Sequence, residues 1–376
     1  MVNQIKLLKF LHILLNFQIK KILIFIIFIY YGVIIYLETN YLSIHKKIIN
    51  KNIKKEIINL NKYYNLCNKN YLINKKKFKL FKNPKISIIT AVYNSEKFII
   101  RFLNSIKNQI FNNIELIFID DFSKDNSTRL IEKYQKEDER IILIKQKKNK
   151  GTLISRNIGA LKSKGEYLIF PDPDDILSNN ILKLCYKYAK QYNYELIRFL
   201  FYRNNKIIIN KLFYSLNKII NQPVLSSFIF YEFGKLKLHD FNICNKFIKR
   251  ELFIRTLNNI DNYYLNQYMI YFEDGFINYA LHRNAKSLYL LSNIGYYYIF
   301  NKGSATHTVN KKLELKCFSL YLKFILENSK NNQHEKIMAF HILKKYLNNQ
   351  KKNKEKFSLS IKILKNNSLY LNDSNI

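Results

Sequence analysis

Between residues 85 and 170 the apolar positions switch repeatedly between continuous runs and helical spacing. "KISIIT" is a β-branched run of the kind that forms a buried strand. "SEKFIIRFLNSIKNQ" follows, with Phe98, Ile99, Phe102, Leu103 and Ile106 at helical spacing and Ser95 in the N-cap place. The pattern then repeats: "IELIFIDD" as strand, "DNSTRLIEKYQKE" as helix, "RIILIK" as strand, "GTLISRNIGALKSK" as helix, "EYLIF" as strand. Strictly alternating strands and helices predict an α/β domain with a parallel sheet and right-handed crossovers. Such a sheet gathers its ligands at the carboxyl ends of its strands. There the chain places Thr90, Ala91, Tyr93 and Asn94 after the first strand, Asp120 and Asp121 after the second, and Asp172, Asp174 and Asp175 after the fourth.

The flanks read differently. Residues 22–37 carry no charge and follow a basic segment, residues 1–21. They predict a transmembrane signal anchor. At about 1.5 Å per residue the run is short of a hydrocarbon core about 30 Å thick, so snorkelling lysines such as Lys20 and Lys21 complete the span. Lysines lie on both sides of it and leave the orientation open. Residues 38–83 are Lys- and Asn-rich and read as a stem. Beyond the domain, residues 309–376 include "LKCFSLYLKFILENS" and "EKIMAFHILKKYL" at helical spacing, which predict a helical C-terminal tail.

Charge narrows the function. The chain has 63 Lys plus Arg against 27 Asp plus Glu, a net +36. The excess of Lys, Asn, Ile, Tyr and Phe is what A/T-rich codons produce, and the basic residues are spread along the whole length. That argues against a nucleic-acid-binding arm. Cys67, Cys185, Cys244 and Cys317 are too dispersed for a structural zinc site. The eight glycines form neither GxGxxG nor GxxxxGK[ST], and HExxH is absent. Against this background "FPDPDD" stands out: a basic chain sets three of its few acids within four residues. Their mutual repulsion is relieved by a cation, and hard carboxylate oxygens suit a divalent one.

These motifs together resemble the family 2 glycosyltransferases. The likeness runs through "KISIITAVYNSEKFIIRFLNSI", "IELIFIDDFSKDNS" and "NKGTLISRNIGALKSKGEYLIFPDPDD". It resumes at "FNICNKFIKRELF", "YFEDGFINYAL" and "YYYIFNKGSATH", covering residues 84–308. The resemblance implies a GT-A-type nucleotide-diphospho-sugar transferase fold, a Rossmann-like mixed sheet flanked by helices. It implies a nucleotide-sugar donor, with UDP expected, and Mn²⁺ or Mg²⁺. Thr90, Ala91, Tyr93 and Asn94 fall in the donor-binding segment, where the Tyr93 ring stacks on uracil and Asp121 accepts from its imide N–H. Asp174 is the leading metal ligand, Asp175 supports or replaces it, and His307 is a third candidate ligand. Asp172 contacts the donor ribose or sugar; Arg156 contacts the nucleotide or braces Asp172; Lys246 lies near the acceptor side. In "FEDGF" the implied general base is Asp274, with Glu273 its neighbour or fallback, and the reaction inverts the anomeric centre. Two positions depart from the family pattern: Ala91 stands where Pro is common and Phe122 where Gly is common.

The expected acceptor is a hydroxyl on a glycan, glycoprotein or lipid, with a dolichol-phosphate type of lipid glycosyltransferase as the alternative. A non-catalytic basic protein that binds nucleic acid or membrane explains the charge but not the ordered acids. A single-pass anchor suits a Golgi or ER membrane enzyme.

Overall fold

The computed structural model describes residues 62–69, 77–203, 242–301 and 310–329, with short pieces at 59, 206–208, 219–221, 231–232, 235–236, 303, 339 and 342. The expected anchor over residues 22–37 and His307 lie outside the described residues. Among the described residues no helix is long and apolar enough to cross a membrane.

The alternating pattern folds as its period dictates. Strand β1 (Ile86–Val92), helix α1 (Glu96–Lys107), β2 (Ile114–Asp120), α2 (Ser127–Gln135), β3 (Ile141–Lys145), α3 (Thr152–Lys162) and β4 (Tyr167–Ile169) follow one another. Their strands pair in parallel in the order β3, β2, β1, β4, with Thr90 opposite Phe118 and Val92 opposite Asp120. All seven residues of β2 are buried, and so are six of the seven in β1. Strands sandwiched between helix layers need no polar face, which is why the sequence shows runs here rather than alternation.

The sheet then turns mixed. After β5 (Ile176–Leu177) and α4 (Ile181–Tyr192), β6 (Leu196–Arg203) and β11 (Lys246–Lys249) pair antiparallel. Strand β11 also runs antiparallel to β4, and β12 (Ser287–Tyr298) lies parallel to β6 with two register shifts. The path ends β4, β11, β6, β12, β5. Between β6 and β11 the described pieces are the short strands β7 (Lys206–Ile208), β8 (Ile219–Asn221), β9 (Tyr231–Glu232) and β10 (Lys235–Leu236). Helices α5 (Arg250–Asn258), α6 (Asn262–Leu265) and α7 (Glu273–Asn284) complete the domain. The expected tail begins as α8 (Lys311–Asn328), and it packs on the domain: Phe324 meets Tyr264 and Phe276, and Phe318 meets Phe272.

Two local expectations need adjustment. Ser95 occupies the N-cap place of α1 but makes no capping hydrogen bond. The Glu96 N–H donates instead to Asp125, while Glu96 accepts from the Asn126 backbone and side chain. Two helix entrances thus cap each other across the carboxyl ends of β1 and β2. Within the stretch read as a stem, residues 62–69 lie against the domain. Tyr63 donates to the Ser105 carbonyl, Asn104 donates to the Cys67 carbonyl, and Tyr64 stacks on Tyr297 at 5.3 Å.

Helix α3 approaches the sheet closely because residue 159 is Gly. A Cβ there would sit 2.3 Å from the Ile89 methyl Cγ2. Gly159→Ala is expected to lower stability by about 1–3 kcal/mol through overpacking. Combined with Ile89→Ala it should cost less than the two separate losses together, because the smaller side chain relieves the clash. Urea denaturation of the four proteins checks both statements.

Candidate active site

The carboxyl ends of β1, β2 and β4 converge with the start of α7, and the charged groups there are organised by one residue. Arg156, on α3, is buried. One terminal nitrogen reaches Asp172 at 2.8 Å; the other reaches Asp274 at 2.5 Å and Glu273 at 3.5 Å. Burial works against its charge, but Asp274, Asp172 and Glu273 together hold its pKa above the ordinary value. Asp172 belongs to the "FPDPDD" turn and Glu273 and Asp274 to "FEDGF", so one guanidinium joins the two acidic motifs. Of the two roles open to Arg156, the structure shows it bracing Asp172.

The five carboxylates differ in surroundings. Asp172 is pushed up to about 6 by burial and by Asp274 and Asp174, with Arg156 opposing. Its side chain is still 39% exposed. Asp174 is half-buried, and one of its oxygens accepts from the Asn301 amide at 3.0 Å. Arg101 donates to the Asp174 main-chain carbonyl at 2.5 Å and so fixes the turn from the α1 side. Asp175 points inward: it is 1% exposed and accepts from the Ile299 N–H at 2.7 Å. Burial raises its carboxyl well above the usual range, and Asp174 and Asp172 add to the effect. Glu273 is raised to about 8 by burial and by Asp274, with Arg156 opposing. Asp274 takes the Arg156 guanidinium on one oxygen and the Ile243 N–H on the other, at 3.2 Å.

On the other side, Asp121 closes the end of β2. It is buried and accepts three hydrogen bonds: from Gln146 and the Lys150 N–H on one oxygen, and from the Gly151 N–H on the other. Burial raises its pKa, against the pull of those two backbone donors. A carboxylate offers about four acceptor positions, so roughly one remains open. Gly151 takes a φ of +88°, and a Cβ there would meet the Met269 carbonyl oxygen at 3.0 Å, so the loop closes only with glycine. Tyr93 is 51% exposed, its ring available at the surface beside this loop. Asn94, in the left-handed region, links the loops after β1 and β2 through Ser123 and the Lys124 N–H. Phe122 keeps the turn that glycine commonly makes by adopting φ 69°, and Lys124 sits 3.4 Å over its ring. For a residue with a side chain that conformation costs about 1–2 kcal/mol.

Thr90 lies fully buried beneath this surface and Ala91 is half-buried. Lys246 is buried in β11, its amine bonded to the Asn242 carbonyl. Among the described residues no group of three or more His, Cys, Asp and Glu side chains is arranged to hold a metal. Sequence reasoning missed Arg101, Asn301, Gln146 and Tyr296, whose hydroxyl accepts from the Asp172 N–H. Asn301 was within reach, since it sits in the "FNKGSAT" stretch of the last family-like motif; Arg101 reads as an ordinary exposed position on a helix.

The parallel half-sheet, the antiparallel β11 and the acids collected at the strand ends make a GT-A-type fold. Residues 87–257, a little under half of the chain, match the model of Glycosyl transferase family 2. Cholesterol galactosyltransferase of Borreliella burgdorferi is 28% identical over 269 residues, covering 65% of this chain and 73% of that one. An uncharacterized glycosyltransferase of Haemophilus influenzae is 41% identical over 113 residues, 30% of this chain and 43% of that one. Glycosyltransferase GlyG of Streptococcus pneumoniae is 31% identical over 106 residues, 28% of this chain and 35% of that one. The chain thus spans less than half the length of the latter two. Among solved structures, S. aureus TarS 1–349 in complex with UDP superposes with a TM-score of 0.54 at 19% identity, covering 72% of this chain and 73% of that one. At that identity the likeness is one of fold. Glu273 and Asp274 lie beyond the matched family segment.

The raised Glu273 carboxyl makes stability depend on pH. The unfolded chain releases this proton near the ordinary 4.5, the folded chain near 8. The stabilisation is therefore complete below about 4.5 and is lost as pH rises through about 8. Glu273→Gln is expected to flatten the fall in urea stability between pH 5 and pH 8.5 relative to the parent protein.

Proposed function

We propose that the chain transfers a sugar from a nucleotide sugar, with UDP as the carrier, to an acceptor hydroxyl, inverting the anomeric centre. The observation that carries this reading is the single Arg156 bridge, which sets a donor-side carboxylate and an acceptor-side carboxylate against one cation. S. aureus TarS, of the same fold, has been solved with UDP and with UDP-GlcNAc, which supports UDP as the nucleotide.

Each residue has a role that its surroundings favour. Tyr93 offers its exposed ring face to the base, and Asp121 offers its remaining acceptor position to the imide N–H. Asp172 faces the ribose or sugar. Among the described residues Asp174 and Asp172 each keep one carboxylate oxygen without a hydrogen-bond partner, a donor set that would hold Mg²⁺ or Mn²⁺. Held there, such an ion would offset the negative charge of the diphosphate and of the departing UDP. Asp175, turned into the core, supports the turn more readily than it reaches a metal. Asp274 takes the acceptor proton as the hydroxyl oxygen attacks, and the anomeric carbon–phosphate oxygen bond breaks on the opposite face. Burial and the neighbouring Asp274 raise the Glu273 carboxyl and favour its protonated form, which leaves the base role to Asp274.

A lipid hydroxyl is the second reading for the acceptor. The galactosyltransferase of Borreliella burgdorferi, named for cholesterol, aligns over 65% of this chain. A membrane anchor in residues 22–37 would bring the site to such a substrate.

Asp274→Asn is expected to lower transfer from the UDP-sugar by about 10²–10⁴-fold while leaving UDP binding in place. Asp174→Ala should weaken both UDP binding and its dependence on Mn²⁺. Calorimetric UDP binding with and without Mn²⁺, beside a transfer assay, checks both. Full activity in both variants overturns the assignment of roles.

A further inference from the structure

At the amino ends of the strands, opposite the candidate active site, the domain carries an open cleft of about 770 Å³. Its lining comes from the start of β4 and the residues before it, the end of α4, the end of β11 and the length of α5, and includes Lys164, Lys190, Lys249, Arg250 and Arg255. Two acids, Glu166 and Glu251, face these five cations. Glu166 is already engaged, pairing with both Lys85 and Lys190. Glu251 pairs with Lys249 at 3.5 Å, and Arg255 pairs with Glu195 at 3.0 Å. The side chains of Lys164 and Arg250 have no carboxylate partner among the described residues; the Lys164 main-chain N–H donates to Glu115. The Arg250 Nε donates to Ser163, and among the described residues its two terminal nitrogens keep their donors.

We propose that this cleft binds a phosphate-bearing anionic chain, with Lys164 and Arg250 as its principal contacts. A half-buried guanidinium with free donors in a concave wall is suited to bidentate phosphate recognition. Concavity matters as much as charge. The whole chain is basic, and exposed lysines on a convex surface lose their field to solvent, whereas cations along a low-dielectric cleft reinforce one another. A cleft also admits a chain more readily than it meets a flat headgroup layer. The amide side chains of Asn193, Asn258 and Asn259 along the same cleft add neutral donors for the remaining phosphate and hydroxyl oxygens. This site is separate from the transfer site and does not depend on how the transfer reaction is read.

The test uses the full chain and fluorescein-labelled linear polyphosphate, titrated by fluorescence anisotropy over a range of salt. Lys164→Gln with Arg250→Gln is expected to weaken binding by about tenfold or more and to reduce the salt slope by roughly one to two. Lys133→Gln with Lys136→Gln removes the same charge from exposed positions on and beside α2 and should change affinity by less than twofold. Lys164→Glu, at an exposed position, serves the same purpose should the Arg250 variant fail to fold, and should weaken binding at least as much as loss of Lys164 alone. Equal losses in the cleft variants and the Lys133/Lys136 control, or no loss in the cleft variants, overturn the proposal. So does binding to phosphatidylglycerol vesicles without binding to polyphosphate, which would mark a membrane-facing surface instead.

Discussion

A buried guanidinium among carboxylates is the constraint on which the rest of the site depends. Arg156 is seated in α3, and α3 is seated on β1 and β2 through the close approach at Gly159. Removing a charge from water carries a penalty of several kcal/mol, recovered only with good partners. Asp172, Asp274 and Glu273 are those partners, and they come from two segments about a hundred residues apart in sequence. The helix, the turn after β4 and the start of α7 are therefore fixed by one electrostatic balance. Losing the cation would leave three acids facing each other at a buried point.

That balance also sorts the acids. A lone surface aspartate would be much like its neighbour, but here position relative to Arg156 and to the protein wall sets each one apart. Asp172 and Glu273 are both driven toward their neutral forms, Glu273 further, because it is the more enclosed. Asp274 holds the guanidinium and a backbone N–H at once. Asp175, adjacent to Asp174 in sequence, belongs to the core through Ile299. One short acidic motif thus supplies an open carboxylate and a structural one.

The parallel half of the sheet was legible from sequence because its strands are buried on both faces and its helices keep a clear apolar stripe. The three polar clusters were legible because a parallel sheet places its strand ends together. The mixed half was harder to read. Strands β6 and β11 are separated by some forty residues without a periodic signal, and their pairing depends on contacts distant in sequence. The orientation of Asp175 could not be read from "DPDD", since Ile299 and Tyr296, far along the chain, decide it. Arg101 was hidden for a different reason. Its donor goes to a main-chain carbonyl, and no residue type announces that role. Ser95 misled because the cap it should supply comes from Asp125 on the neighbouring loop.

Asp121 holds two backbone groups with one side chain. Its oxygens fix the loop at Lys150 and Gly151, and about one acceptor position is left over. Asparagine, the gentlest replacement, would turn its amide N–H₂ toward either the Lys150 or the Gly151 N–H, because each carboxylate oxygen holds one backbone donor. The contacts open to this side chain and the loop it supports are therefore mutationally inseparable. Any change in the contacts made at this surface would have to begin elsewhere, at a side chain that does not hold up the backbone.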